Sequence, residues 1–383
     1  MKMISFSFHS TRMVRSLPTA LFVAGLQLLL VAFPSGNLRA GDENEEGHFF
    51  RWVNLQSDIP GVADRTDPNL VNPWGLAVGP TGIFWVADNH TGVSTLYAPN
   101  GKPNPLIVTI PASSGIATDV ASPTGLVFNP FPKAFLLSNG KPALFLFDAE
   151  DGGISAWNPG LNPVTRAVLV GNNSTSGAIY KGLALGNRPI GGPTLYAADF
   201  HNGKVDVFDS KFNPVMTGGF KPLGIPPIPS DFAPFGIANI EGFIYVTYAK
   251  QKPPDNADDL GGPGNGFINV FRTDGIFVMR LVSNGSLNSP WGLAKVPPGG
   301  FGGLGPDVLL VGNFGDGTIN AFDIQRGTSL GPLLHRPNQA LAFSGLWSLL
   351  FFDHRLYFTA GLAEEEHGLF GFIRTVEKRD HDE

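Results

Sequence analysis

An all-β, six-bladed β-propeller, closed by an N-terminal strand that completes the last blade, is the fold the sequence predicts, and three observations predict it. First, one unit recurs: residues 72–101 read NPWGLAVGPTGIFWVADNHTGVSTLYAPNG, and SPTGLVF, YKGLALG, APFGIAN, SPWGLAK and FSGLWSL each open a further copy. Second, the glycine of that opening falls at Gly75, Gly125, Gly182, Gly236, Gly292 and Gly345, at spacings of 50 to 57 residues. That is the period of a propeller blade with lengthened loops. Third, runs such as IFWVAD and VSTLYA are rich in β-branched and aromatic residues and bounded by Gly, Pro, Asn or Asp, the pattern of an antiparallel meander.

The chain opens with Lys2, Arg12 and Arg15, then an apolar run over residues 17–33, then PSGNLRA ahead of the acidic GDENEEG. A basic, apolar, small-residue order predicts a secretory signal peptide over residues 1–40, cut after Ala40, and a periplasmic or extracellular protein. Left uncut, the same segment is an anchor. Residues 41–49 are expected to be a flexible lead. Residues 50–58, FRWVNLQSD, alternate large apolar with polar side chains and read as a strand. The last repeat shows only three strands, so this one is expected to complete it and remove the open edge. The propeller is placed at residues 50–373, with a charged tail over 374–383.

Outer strands are expected at residues 106–110, 165–170, 215–220 and 277–282, and the second strand of blade two in AFLLSNG, residues 134–140. Inner strands should be glycine-led because backbones crowd near the axis. With 49 Gly and 33 Pro in 383 residues, composition alone suggests low complexity, but these residues lie between strands and act as turn chemistry. A net charge of −6 argues against nucleic acid or an anionic membrane as partner. With no Cys, neither disulfides nor thiolate chemistry is available.

The G-L-A run, the strand ending in A-D or G-N, and the G-x-[IV]-x-x-F/Y run resemble the NHL-repeat class of six-bladed propellers. Through NPWGLA, VGNFGDGTINAFD and AEEEHGLFG, residues 52–373 resemble a family of secreted bacterial NHL-like propeller proteins of uncharacterised function. That resemblance implies the propeller and assigns no activity.

Function is expected on the face shared by the loops entering the first strands and the second-to-third turns. Trp74, Thr124, Lys181, Phe235, Trp291 and Ser344 precede the motif glycines and should ring the channel mouth. Asp88, Ser138, Asp199, Tyr248, Asn313 and Ala360 should end the second strands. From these, Trp74, Lys181, Phe235, Trp291, Asp88, Asp199 and Asn313 are the candidate binding residues. His90, His201 and His367 fall in equivalent turns and, if they converge, suit zinc with an open position; His beside Asn and Gly is also ordinary turn chemistry.

Asp255, Asp258 and Asp259 lie on an insertion in blade four, residues 250–266, that is expected to cover the channel mouth and face Lys181 or a cation. Glu364, Glu365 and Glu366 sit on the blade-six turn. Either set offers the oxygens a calcium ion takes. No G-x-S-x-G, HExxH or P-loop is present. Gluconolactonase-like and paraoxonase-like propellers, to which the chain is related by resemblance, carry a Glu at the mouth with channel Asn and Asp around a divalent metal. Asp88, Asp199 and Asn313 match part of that set, and the Glu is missing. The expected function is therefore an exported binding or scaffold propeller, monomeric, taking a small molecule or protein on its loop face. The alternative is a metal-dependent hydrolase, lactonase or lyase acting in the channel.

Overall fold

The computed structural model describes residues 48–215 and 219–376. The expected signal peptide, most of the lead and the end of the tail lie outside these residues. Within them the chain is all-β, six blades around one axis, and the sole helix described is a 3₁₀ turn at Ser174–Ser176.

Blade one is Pro73–Val78, Phe84–Asp88, Val93–Tyr97 and Val108–Thr109, antiparallel throughout. Blades two, four and five repeat this four-stranded order. Blade three shows Tyr180–Arg188, Gly192–Asp199 and Lys204–Phe208, with Val215 bonded back to Val207 where the expected fourth strand starts. Residues 216–218 of that strand lie outside the described residues. Blade six is Leu346–Phe352, Arg355–Leu362 and His367–Thr375, completed by Phe50–Ser57. The N-terminal strand runs antiparallel to His367–Thr375 from Phe50↔Thr375 to Ser57↔Leu369, which is the closure expected from its alternating pattern. That final strand runs two residues past the expected end of the propeller.

Two blades depart from the expected alignment. In blade two the second strand is Phe145–Ala149, not residues 134–140. Asn139-Gly140 forms a tight turn, with Gly140 at φ +72° and Leu137 bonded to Lys141, so Ser138 sits on a connecting hairpin. In blade six Leu346 pairs with Ala360 as Pro73 pairs with Asp88. Trp347 and Ser348 therefore occupy the positions of Trp74 and Gly75, and Ser344 and Gly345 do not.

Crowding between neighbouring inner strands explains the motif glycine. A Cβ at Gly236 would lie 2.2 Å from the Trp291 carbonyl oxygen, and one at Gly125 would lie 2.3 Å from the Leu183 nitrogen. Side chains one residue inside the ends of the second strands knit alternate seams. Thr247 Oγ1 donates to the Pro290 carbonyl at 2.6 Å and Thr359 Oγ1 to that of Trp74 at 2.6 Å. At the third such seam Thr124 Oγ1 lies 2.9 Å from both Asp148 and the Tyr180 carbonyl. Blades one, three and five carry Ala87, Ala198 and Gly312 there, so the six-fold ring has a three-fold alternation.

Candidate functional site

Of the six residues before the motif positions, Trp74, Phe235, Trp291 and Trp347 join Phe314 in an aromatic partition across the channel. Trp74 and Trp347 stack with centroids 3.4 Å apart, and Trp291 meets both edge-on at 6.3 and 5.6 Å. Phe314 stacks on Trp347 at 4.1 Å, and Phe235 lies 5.8 Å from it. Trp347 Nε1 donates to Asn72 Oδ1, while Trp291 Nε1 donates across the axis to the Lys181 carbonyl at 2.6 Å. Trp74 Nε1 is buried without a hydrogen-bond partner.

Above this aromatic floor is a cavity of about 390 Å³. Lys181 forms its cationic centre: the residue is 2% exposed, its ammonium 5.1 Å over the Trp74 ring. It pairs with Glu150, and at 3.5 Å with Asp258. Asn89 Nδ2 donates to the other Glu150 oxygen at 3.1 Å. Burial alone would raise the Glu150 carboxyl, but the Lys181 ammonium outweighs it and holds the group below its usual range. Burial likewise works against the Lys181 charge, and Glu150 reverses it, so the ammonium is held more firmly than a free lysine.

Two further carboxyls line the cavity without an ion pair among the described residues, Asp259 and Glu365. Burial raises both, Glu365 to about 7, with Asn72 and Lys181 pulling against that rise and Glu150 and Asp259 adding to it. Glu365 is aimed by an unusual backbone: Ala363, Glu364 and Glu365 have φ of 52°, 57° and 71°. Consecutive left-handed residues without glycine are costly, and such outliers cluster at functional sites.

A pH dependence follows. Between 4.5, the ordinary value of an unfolded Glu, and about pH 7 the folded chain keeps a Glu365 proton that the unfolded chain has lost. Stability therefore falls as pH rises through that window and is level above it. Glu365→Gln is expected to gain melting temperature over the parent progressively across the same window. Thermal melts across it check this, and a difference constant with pH would refute it.

The expected site residues divide. Trp74, Lys181, His90, Asp258 and Asp259 all line this cavity. Phe235 and Trp291 lie in the partition beneath it. Asp88, Asp199 and Asn313 do not line it and make their hydrogen bonds in the surrounding hairpins and the loop between blades four and five. Asp88 accepts from Thr95 N, Asp199 from Asn202, and Asn313 donates to the Ser286 carbonyl. The three histidines do not converge: His201 Nδ1 is 2.9 Å from the Asp255 carbonyl and His367 Nδ1 is 2.7 Å from Asp58. Asp255 thus stands apart from its two neighbours. Among the described residues no three His, Cys, Asp or Glu are grouped to hold a metal.

The blade-four insertion does reach the mouth, tied by Leu260 N to Lys250, Gly262 N to Asn288 and Asn265 O to Ser289. Sequence reasoning missed Glu150 and Trp347, both through the two misaligned blades. The signals were present: FLFDAEDGG matches FWVADNHTG in length and turn, and LWS aligns with PWG.

No protein-family model matches the sequence. Among solved structures, a catalytically inactive virginiamycin B lyase from Staphylococcus aureus with quinupristin superposes at TM-score 0.50 and 12% identity, over 86% of this chain and 100% of that one. A glucose dehydrogenase superposes at TM-score 0.51 and 12% identity, over 85% and 99%. At such identities the likeness is one of propeller fold alone. Sequence relatives are nearer. Uncharacterized protein R648 of Acanthamoeba polyphaga mimivirus is 36% identical over 335 residues, 83% of this chain and 78% of that protein. Uncharacterized protein L690 of the same virus is 35% identical over 320 residues, 82% of each. The chain belongs to the family that holds these two mimivirus proteins.

Proposed function

We propose that the protein is a binding propeller whose upper cavity takes a small organic cation of the protonated-amine class. The observation that carries this is charge imbalance. Lys181 is already satisfied by Glu150 and Asp258, yet Asp259 and Glu365 face the same cavity with no cation of their own. Four carboxyls against Lys181 and Lys252 leave a formal excess of negative charge in the lining. A buried carboxylate without a partner is costly, and an ammonium supplied from solution removes that cost. The aromatic floor adds the quadrupole that favours cations.

Non-catalytic binding is the better reading of this geometry, since Asp88, Asp199 and Asn313 lie outside the cavity lining. The basic, apolar and small-residue order of residues 1–40 supports placing this binding activity outside the cytoplasm. Among the described residues no helix is long and apolar enough to cross a membrane.

Isothermal titration with putrescine at about pH 8, where Glu365 is ionised, is expected to show one site. Glu365→Gln and Asp259→Asn should each weaken it about tenfold, the worth of one charge-assisted hydrogen bond. Affinity should fall as pH drops below about 7. Equal or tighter binding of acetate, or no putrescine heat at any pH, would overturn the reading.

A further inference from the structure

Beneath the tryptophan partition the channel opens into a second cavity, about 520 Å³, at the opposite face. It is built by the same strands. The residue after each motif position, Leu76, Leu126, Leu183, Ile237, Leu293 and Leu349, lines it while packing into the core beside it, so six blades give a ring of six branched aliphatic residues. Trp291 closes its inner end. The contrast with the upper cavity is one of charge: no Asp, Glu, Lys, Arg or His lines the lower one.

We propose that this lower cavity is a binding site for a compact, neutral, apolar molecule carrying one hydrogen-bonding group, such as a hydroxyl. Its volume is within the ~300–1,000 Å³ of small-molecule pockets, which pair apolar walls with a few placed polar groups. Aliphatic walls give water few hydrogen bonds, and poorly held water is displaced by an apolar ligand at a gain in affinity. A charged ligand would lose its hydration with no counter-charge to replace it.

The single hydrogen-bonding group is argued from Ser348. Blades one to five carry glycine at this position, where an added Cβ would collide with the next blade, and blade six carries serine. Ser348 is 7% exposed, lines the cavity and uses its backbone N–H on Thr359, while its hydroxyl has no partner among the described residues. A hydroxyl that opens into the cavity with no protein partner favours a ligand that pairs it. Of the other polar side chains in the lining, Asn239 is occupied by Leu185 and Gly242, while Asn187 and Thr273 stand beyond the motif ring, so Ser348 is the one polar side chain on that ring.

The test uses the whole chain and three probes of one ring system: 1-naphthol, naphthalene and naphthalene-1-sulfonate, titrated calorimetrically. The parent is expected to bind 1-naphthol more tightly than naphthalene, with no binding of the sulfonate. Ser348→Ala should bring the two neutral probes to within about twofold by removing one hydrogen bond. Leu293→Trp, at the least buried member of the ring, should fill the cavity and weaken both neutral probes at least about tenfold. Its putrescine titration should be unchanged, which separates this site from the upper one and shows that the variant is folded. Absence of neutral-probe binding, binding untouched by Leu293→Trp, or preference for the sulfonate would overturn the proposal.

Discussion

A chain that begins after Ser57 is expected to lose cooperative unfolding and to aggregate. Phe50–Ser57 is the fourth strand of blade six, flanked by the two-residue strand Arg65–Thr66, and ties the N-terminal part of the described chain to its last strand in one sheet. Phe50 and Leu55 are each 3% exposed and pack in different core clusters, one with blades five and six, the other with blade one. Two such side chains are worth about 2–5 kcal/mol each, against a total stability of about 5–15 kcal/mol for a whole domain. Gln56 and Ser57 add side-chain bonds to Gly101 and Gly368 at 2.7 Å. Their loss also strips the edge of His367–Thr375, a nine-residue strand, and long bare edges recruit other chains. Size-exclusion chromatography and a thermal melt decide it. A truncated chain that stays monomeric and melts at the parent temperature would show the ring does not depend on this closure.

That closure was legible because period two is a strong signal over eight residues, and because the last repeat visibly lacked a strand. The inner-strand glycine was legible for a related reason: it repeats where geometry repeats. Legibility failed where a local sequence imitated the wrong element. FLLSNG has the composition of a strand followed by a turn, and Asn-Gly is indeed a turn, but the hairpin it closes is an insertion below blade two. The true strand, FLFDA, lacks a punctuating glycine on its near side and is recognised only by register against the other blades. Once blade two slips, Glu150 vanishes from the mouth and Lys181 looks like a lone cation among aromatics. Likewise Gly345 drew the alignment of blade six away from Trp347, since a glycine was the feature being counted. The side chains of Asp88, Asp199 and Asn313 were placed at the right level and on the wrong side of the strand, a one-residue error in a structure of period two.

Replacing Lys181 with methionine is expected to destabilise the protein strongly, and replacing its partner as well is expected to restore most of the loss. The Lys181 side chain is 3% exposed and pairs with Glu150, which is 29% exposed and held above the aromatic floor. Removing one member of a buried pair leaves the other without compensation, at about 3–5 kcal/mol, whereas removing both is often close to neutral. Partial exposure of Glu150 puts Lys181→Met at the lower end, about 3 kcal/mol. The sign with pH is fixed by the lowered Glu150 carboxyl. In the parent its contribution is present above the unfolded value of 4.5 and is lost as pH falls through the lower folded value. In Lys181→Met burial is opposed only by Asn89 and His90 and the carboxyl rises, so the deficit should be small near about pH 4 and grow as pH increases. Denaturant melts of Lys181→Met, Glu150→Gln and the double variant at about pH 4 and about pH 8 form the cycle. A double variant no more stable than Lys181→Met at the higher pH would mean the cost lies in packing against Trp74, and that the buried pair is not what sets the charge of the upper cavity.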